Sequence, residues 1–355
     1  MDPVFWKGKT VLLTGHTGFK GSWLSLWLQE LGVNLIGFSK SIPTEPSLYK
    51  LANVKKEMIS VMGDIRNFDR VNDVIKKYKP EIIIHMAAQS LLHESYKEPL
   101  ETFSTNVMGT VNLLEAIRTT QKSCVVINVT SDKCYENQEL TRGYRENDPM
   151  GGYDPYSSSK GCAELATSSF RNSFFNPLEY KKHGIALASV RAGNVIGGGD
   201  WAKNRLIPDI MNSLLSGGKL KIRSPQAVRP WQFVLEPLRG YLMLAEKLWK
   251  HGPKYAEAWN FGPDSRDAKS VSWIAERLAQ LWGSDTKWVK TNEKYNHETN
   301  YLRLDCKKAK TRLDWSPKTR LETALQLIVE WYKEYKKGDD IRGTTLTQIR
   351  DFNSM

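Results

Sequence analysis

The stretch Thr10-Val-Leu-Leu-Thr-Gly15-His-Thr-Gly18-Phe-Lys-Gly21 decides the fold. Thr10–Thr14 is a short apolar run of strand length, and Ser22–Leu31 behind it reads as a helix. The spacing Gly15-x-x-Gly18-x-x-Gly21 therefore falls in the turn between a first strand and a first helix. Glycines there permit the tight turn and let backbone N–H groups approach an anion at the positive end of the helix, as a dinucleotide pyrophosphate requires. A glycine triplet alone is a weak signal; its place between strand and helix gives it weight.

Outward from this turn, Asn34–Ser39 reads as a second strand and Lys56–Met62 as a third, ending at Gly63-Asp64. Glu81–Ala88 and Cys124–Thr130 follow as strands, separated by the helical Leu100–Arg118. Tyr156–Phe170 is a further helix, Ile185–Val190 a sixth strand, and Ala258–Phe261 a late strand after the amphipathic Leu235–Trp249. Near-continuous apolar strands alternating with helices predict an α/β fold, a Rossmann-type doubly wound parallel sheet covered on both faces. A dinucleotide-binding domain is placed at 1–190, with 232–262 returning to it. Residues 191–355 are read mainly as a smaller mixed α/β C-terminal lobe closing over the sheet's carboxyl edge, where open α/β folds bind ligands. In that lobe Arg205–Leu215 and Lys219–Arg223 are short elements, Ser270–Trp282 and Leu321–Tyr335 have helical periodicity, and the tail after Lys336 reads as polar and loosely held.

The 355 residues, 25% charged and 40% hydrophobic, fit a globular protein and exclude a disordered chain, a collagen-like repeat and a small disulfide scaffold. No apolar run approaches the length needed to cross a membrane, and Met1–Thr10 lacks the basic-then-apolar pattern of a signal peptide. Cys124, Cys134, Cys162 and Cys306 show no paired spacing, which points to a reducing cytoplasm; the histidines, His16 and His85 among them, show no ligand spacing, so no metal is expected. Lys and Arg number 51 against 39 Asp and Glu, a formal charge of +12. They are scattered along the chain without a nucleic-acid-reading module, so the charge is read as a solvated surface or as attraction for an anionic small molecule.

Where a carboxylate after the second strand would accept a ribose 2′-hydroxyl, this chain has Ser39-Lys40-Ser41. Lys40 suits a 2′-phosphate, so NAD and NADP both stay open. Asp64 either accepts a hydrogen bond from an adenine amino group or caps the following helix. Tyr156-Ser-Ser-Ser-Lys160 sets a phenol and an ammonium on one helix face, after Val129-Thr130-Ser131-Asp132 at the end of the fifth strand. A neighbouring cation favours the phenolate, which makes Tyr156 a candidate base for a hydroxyl proton.

From residue 10 to past residue 305 the chain resembles the extended short-chain dehydrogenase/reductase family, and within it the NDP-sugar 4,6-dehydratases. The resemblance is carried by Gly15-His-Thr-Gly-Phe-Lys-Gly-Ser-Trp-Leu24, Ala87-Ala-Gln89, Thr105-Asn-Val-Met-Gly-Thr110, Thr130-Ser-Asp-Lys-Cys-Tyr135, Gly151-Gly-Tyr-Asp-Pro-Tyr-Ser-Ser-Ser-Lys160, Arg191-Ala-Gly-Asn-Val-Ile-Gly-Gly-Gly-Asp-Trp201 and Arg229-Pro-Trp231. Asp132-Lys133, where most such enzymes carry Asp-Glu, is the pattern of the branch acting on CDP-glucose. The resemblance implies a lyase with NAD, or NADP, as cofactor: oxidation at C4, elimination of water across C5 and C6, and return of the stored hydride to C6. A 4-epimerase or reductase on the same scaffold, or a dehydratase for another NDP-sugar, is the alternative, and an epimerase has no use for the acid–base pair Asp132-Lys133.

Residue by residue, the resemblance implies Tyr156 as base at the C4 hydroxyl, Lys160 as its electrostatic partner and ribose anchor, and Ser131 as hydrogen-bond partner of the same oxygen. Asp132 becomes the acid at C6, and Lys133 either the base at C5 or a charged stabiliser of the enolate. A lysine serves as a base only when neutral, which requires burial or a neighbouring cation such as Lys160. The cofactor is implied against Gly15, Thr17, Gly18, Phe19, Gly21, Lys40, Asp64, Ile65, Ala87, Ala88, Gln89, Asn106 and Thr130, together with Tyr156 and Lys160. Asn194, Arg205 and Arg229 fall at contacts to the substrate pyrophosphate, for which a guanidinium fork is suited. Gln89 and Tyr153 are expected to line the sugar pocket, and Glu298 and Tyr301 occupy a late substrate-binding stretch. His93 and Phe233 stand where relatives often have Arg and His, and are expected to reshape the sugar or base pocket. A homodimer through Leu100–Arg118 and Tyr156–Phe170, or a dimer of dimers, completes what the resemblance implies, with deoxysugar synthesis for surface polysaccharide as context.

Overall fold

The computed structural model describes residues 2–120, 123–291 and 302–355. Strands β1 (Thr10–Thr14), β2 (Asn34–Ser39), β3 (Ile59–Met62), β4 (Ile82–His85), β5 (Cys124–Val129), β6 (Ile185–Arg191) and β7 (Ala258–Asn260) form one sheet in the order β7-β6-β5-β4-β1-β2-β3. Every neighbouring pair is parallel; Leu12 of β1 stands beside Ile36 of β2 and Ile83 of β4. The strand order reverses between β1 and β4, which opens a crevice at their carboxyl ends.

Both faces of the sheet are covered. On β5, Val125, Ile127 and Val129 join one buried cluster while Cys124 and Val126 join the other, so the strand reads as an unbroken apolar run. Helix α1 (Phe19–Glu30) is buried at every position from Gly21 to Leu28, the mark of a helix packed on all sides. Helix α2 (Phe68–Tyr78) and helix α3 (Gly109–Thr120) cover the opposite face of the sheet. Helix α4 (Pro155–Ser173) starts where Asp154 accepts the Ser157 N–H at 2.8 Å and Pro155 takes the first helical position. Further along come α5 (Leu206–Ser216), a short strand Leu220–Ile222, α6 (Leu235–His251), α7 (Val271–Trp282) and α8 (Leu321–Lys337). A single apolar cluster joins Trp23 of α1, Val190 of β6, Leu238 of α6 and Trp331 of α8.

Four sequence expectations are corrected here. The third strand is only Ile59–Met62, because Asn53 adopts a left-handed conformation (φ 44°) and Val54–Glu57 coil into a 3₁₀ turn. The fourth strand ends at His85 rather than Ala88, since the Met86 and Ala87 N–H groups both turn to the Thr14 hydroxyl, at 3.1 Å each. The helix expected at Leu100–Arg118 runs from Pro99, through a π turn at Ser104–Met108, into α3. The tail is not loose: Asp340 caps helix α9 (Ile341–Ser354), whose Ile341, Thr345, Gln348, Ile349 and Phe352 are buried. Those positions recur at helical spacing, a face masked by the polar residues between them.

Phe352 seals the outer side of α1, its ring 5.7 Å from Trp27 and nearly perpendicular to it, and 6.5 Å from Phe233. Replacing Phe352 by alanine is expected to cost about 3–5 kcal/mol of stability, read from urea unfolding followed by tryptophan fluorescence. A loss below 1 kcal/mol would mean that the site collapses without it.

Candidate active site

A cavity of about 910 Å³ opens at the carboxyl edge of the sheet. On one side it is walled by the glycine turn. Gly15 has φ +79°, and a Cβ there would stand 2.8 Å from the Ala87 nitrogen; a Cβ on Gly21 would lie 2.0 Å from the Gly15 carbonyl. Gly18, the residue preceding α1, would meet nothing nearer than the Gly15 carbonyl at 3.5 Å and lines the cavity. The backbone thus leaves an open cradle at a helix N-terminus, which fits a dinucleotide pyrophosphate. Thr17, Phe19, Ile65, Ala87, Ala88 and Thr130 line the same cavity. His16 fixes the turn from beneath by bridging the Ser39 and Ser60 hydroxyls at 2.8 Å each, and burial holds it neutral, down to about 4.

The charged residues at the end of β2 neutralise one another. Lys40 lies 3.1 Å from Glu101 and 3.5 Å from Asp64. Arg66 grips Asp64 at 2.6 Å and also pairs with Glu101. Its hydrogen bond, against the opposing effect of burial, brings Asp64 down to about 2. Asp64 does not cap α2; Asn67 does, accepting the Arg70 N–H.

A hydrogen-bond chain joins the glycine turn to α4. The Thr14 hydroxyl accepts from Met86 and Ala87, so its own proton goes to His85 Nδ1 at 2.7 Å. His85 Nε2 then donates to the Thr110 hydroxyl at 3.3 Å, which donates to the Asn106 carbonyl. Burial, with Lys160 nearby, holds His85 at about 3, neutral as this chain requires. The Asn106 side chain, carried by the π turn, pairs with both backbone groups of Gln89 and donates to Ser159 at 2.8 Å; Ser159 donates to the Tyr156 carbonyl at 2.7 Å. Asn106 is therefore not in the cavity wall and meets the site through Gln89.

Ser131, Asp132 and Lys133 leave β5 in a 3₁₀ turn in which the Ser131 hydroxyl accepts the Lys133 N–H and donates to Asp132 at 3.0 Å. All three line the cavity, as do Tyr156 and Lys160. Burial pushes the Tyr156 phenol up to about 12, against a hydrogen bond with Ser131 and the charge of Arg205. Burial brings Lys160 down to about 8. The Asp132 carboxylate rests on Gly193, where an added Cβ would fall 1.8 Å from Oδ2.

On the far side Asn194, Arg205 and Arg229 line the cavity; Arg205 reaches Asp200 at 3.2 Å and the Ser90 hydroxyl at 3.3 Å. Gln89 and His93 also line it. Tyr153 does not: it is 77% exposed and outside the lining. Phe233 does not either, being 1% exposed and packed on Trp23, so it shapes the core rather than a ligand pocket. Glu298 and Tyr301 lie outside the described residues.

The family model described as GDP-mannose 4,6 dehydratase matches residues 12–328. CDP-glucose 4,6-dehydratase of Salmonella typhimurium is 53% identical over 354 residues, covering 100% of this chain and 99% of that relative. The chain belongs to the NDP-sugar 4,6-dehydratase family. The fold is shared with a UDP-glucose 4-epimerase from Thermotoga maritima (TM-score 0.79, 22% identity, 92% of this chain and 99% of the other). It is shared too with a dTDP-glucose 4,6-dehydratase from Bacillus anthracis in complex with NAD (TM-score 0.75, 24% identity, 94% and 100%).

In this member of the 4,6-dehydratase family, sequence reasoning missed Lys20. It sits inside the glycine motif, in the first turn of α1, and lines the cavity with Asp132 and Lys160. Desolvation, then the charges of Lys160 and Arg205, bring it down to about 7. Between that value and its ordinary 10.5 the unfolded chain binds more protons, so this group makes stability rise with pH across that window. Lys20→Met should therefore melt above the parent at pH 6, by a margin that shrinks as the pH is raised towards 10. Thermal unfolding followed by circular dichroism reads this; a margin independent of pH would place the ammonium in solvent. Gly193→Ala, which drives Asp132 from its seat, should lower turnover by about 100-fold or more. An unaltered rate would mean that the carboxylate has room to move.

Proposed function

We propose that this chain converts CDP-glucose to CDP-4-keto-6-deoxyglucose, as a hydro-lyase with NAD as its cofactor. The observation that carries the reading is the convergence of Ser131, Asp132 and Lys133 with Tyr156 and Lys160 in one cavity, in a chain 53% identical end to end to an enzyme of that name. The glycine cradle and the Thr17, Phe19, Ile65, Ala87, Ala88 and Thr130 wall would hold the dinucleotide. A 2′-phosphate at Lys40 would meet Asp64 and Glu101 beside it, which favours NAD over NADP. When bound, NAD supplies a two-electron acceptor for C4 and gives the same two electrons back at C6.

The chain's own residues move the protons. Tyr156 takes the proton of the C4 hydroxyl as the phenolate, a form that burial opposes and that the positive charge of Lys160 and of a bound nicotinamide ring would favour, while Ser131 holds that oxygen. The C4 ketone acidifies the C5 proton, which Lys133 removes, and Asp132 protonates the departing C6 hydroxyl so that it leaves as water. An epimerase needs neither of the last two groups. Arg205, Arg229 and Asn194 would hold the pyrophosphate, with Gln89 and His93 beside the sugar. On this reading residues 1–190 with 232–262 form the cofactor half and 191–355 mainly the substrate half. A second copy is proposed to cover Leu100, Met108 and Leu165, which are 86%, 51% and 60% exposed on the two adjoining helices. Unpaired Cys124, Cys134, Cys162 and Cys306 suit a reducing cytoplasm, and among the described residues no helix is long and apolar enough to cross a membrane.

Incubation with NAD and CDP-glucose in deuterated water, with mass spectrometry of the product, tests the reading. Loss of one water and gain of one deuterium at C5 is expected, and Lys133→Met should abolish the exchange. Turnover without loss of water would instead identify an epimerase or a reductase.

A further inference from the structure

One end of the cavity lies beyond the groups that move protons and hold phosphate. Arg205 ends the approach to α5, and the Asp209 N–H donates to its carbonyl at 3.0 Å, so Asp209 stands one helical turn, about 6 Å, further along the same face. There the cavity is lined by Leu206, Asp209, Lys221, Ile222, Arg223 and Val271, a slot of apolar side chains with charged groups among them, of which Asp209 and Arg223 stand together. Arg223 is anchored by a 3.0 Å hydrogen bond to the Asn204 carbonyl, and its guanidinium stands 3.9 Å from the Asp209 carboxylate. One side of the slot thus offers an acceptor and a donor next to each other.

We infer that Asp209 and Arg223 read the edge of the nucleobase and select an aminopyrimidine over a pyrimidine carrying a carbonyl at the same position. The inference rests on the reading of this protein as an enzyme of a cytidine diphosphate sugar. Cytosine presents an amino donor at C4 beside the N3 acceptor, which matches a carboxylate beside a guanidinium. Uracil and thymine present a carbonyl and an N–H in the reverse order, which sets oxygen against carboxylate and N–H against guanidinium. Partial burial, against the opposing pull of Arg223, raises the Asp209 carboxyl to about 6, while 41% of the side chain stays exposed and within reach of an arriving base. A carboxylate able only to accept discriminates more sharply than a hydroxyl or amide, which serves either edge.

The test is calorimetric titration of the protein with CDP, UDP and the diphosphate of 2-pyrimidinone riboside, whose base lacks the 4-amino group. CDP is expected to bind roughly ten- to a hundred-fold more tightly than UDP, with the pyrimidinone compound between them. Asp209→Asn, whose amide donates to a carbonyl, should bring the CDP and UDP affinities to within about threefold of each other, chiefly by weakening CDP. A CDP-to-UDP ratio unchanged by Asp209→Asn overturns the inference. Should that variant bind neither nucleotide, the parent protein decides: equal affinity for CDP and the pyrimidinone compound overturns it, and a tenfold gap upholds it. None of these titrations needs turnover, so a protein that discriminates CDP through Asp209 yet leaves CDP-glucose unchanged would overturn the proposed reaction alone.

Discussion

A carboxylate and a guanidinium, 3–4% exposed and 2.9 Å apart, lie where β5, β6 and α4 meet, and the working edge of the sheet is built around them. Burial raises Glu164, but the charge and hydrogen bond of Arg191, with hydrogen bonds from Thr130 and Ser189, hold it below the ordinary carboxylate range. Arg191 also donates to the Tyr135 hydroxyl at 2.6 Å and the Glu146 carbonyl at 2.9 Å, and Tyr135 passes its proton to Asn260 of β7. Most of the pair's other polar atoms are hydrogen-bonded, Arg191 Nε being buried without a partner; stripped of one member, such a pair leaves an uncompensated charge that costs about 3–5 kcal/mol. Thr130 immediately precedes Ser131, and Glu164 follows Lys160 by one helical turn. The distance between the two halves of the candidate catalytic group is thereby set from underneath by Glu164 and Arg191, which lie outside the cavity lining.

Above that anchor the cavity holds more positive charge than it can comfortably keep. Lys20 is held well below its usual range by burial and by the charges of Lys160 and Arg205, with Asp132 as counter-charge, and Lys160 is held below its own by burial. Anionic phosphates arriving at the cradle and at the Arg205 side would relieve this repulsion and draw protons back onto the lysines. Affinity for a pyrophosphate and the protonation state of the candidate catalytic groups are therefore one coupled quantity. The chain's overall excess of Lys and Arg adds long-range attraction for the same ligands.

Local pattern made much of this legible. β1 and β2 match their expected bounds because each is an apolar run cut off by turn residues, and the Tyr156–Lys160 spacing places both groups on one face in any helix. What local pattern lacks is partners. Nothing near Lys20 announces Lys160, and a helical period at Leu100–Arg118 says nothing of the π turn that aims Asn106 at Gln89 and Ser159. Tyr153 lies just before the Tyr156–Lys160 motif and ahead of the Asp154 cap, where the chain has not yet taken the helical direction, and it is exposed. Position in the sequence puts Phe233 at a pocket, but its ring packs between Trp23 and Phe352 in the core. The helix Ile341–Ser354 was hidden by composition, since five buried positions were outnumbered by the polar residues that face water.

That last helix binds the first one: Arg350 pairs with Glu30 across a separation of 320 residues, and Phe352 caps Trp27. During synthesis the chain emerges from its amino end, and domains usually fold in that order. Here α1, the element that presents the glycine cradle, lacks its outer wall until the region near residue 350 has left the ribosome. The nascent sheet must wait with an apolar helix uncovered, and contacts of such long range make the final closure slow. Translation and folding of this chain are thus tied end to end, and a holding chaperone would find its natural footing on Trp23 and Trp27.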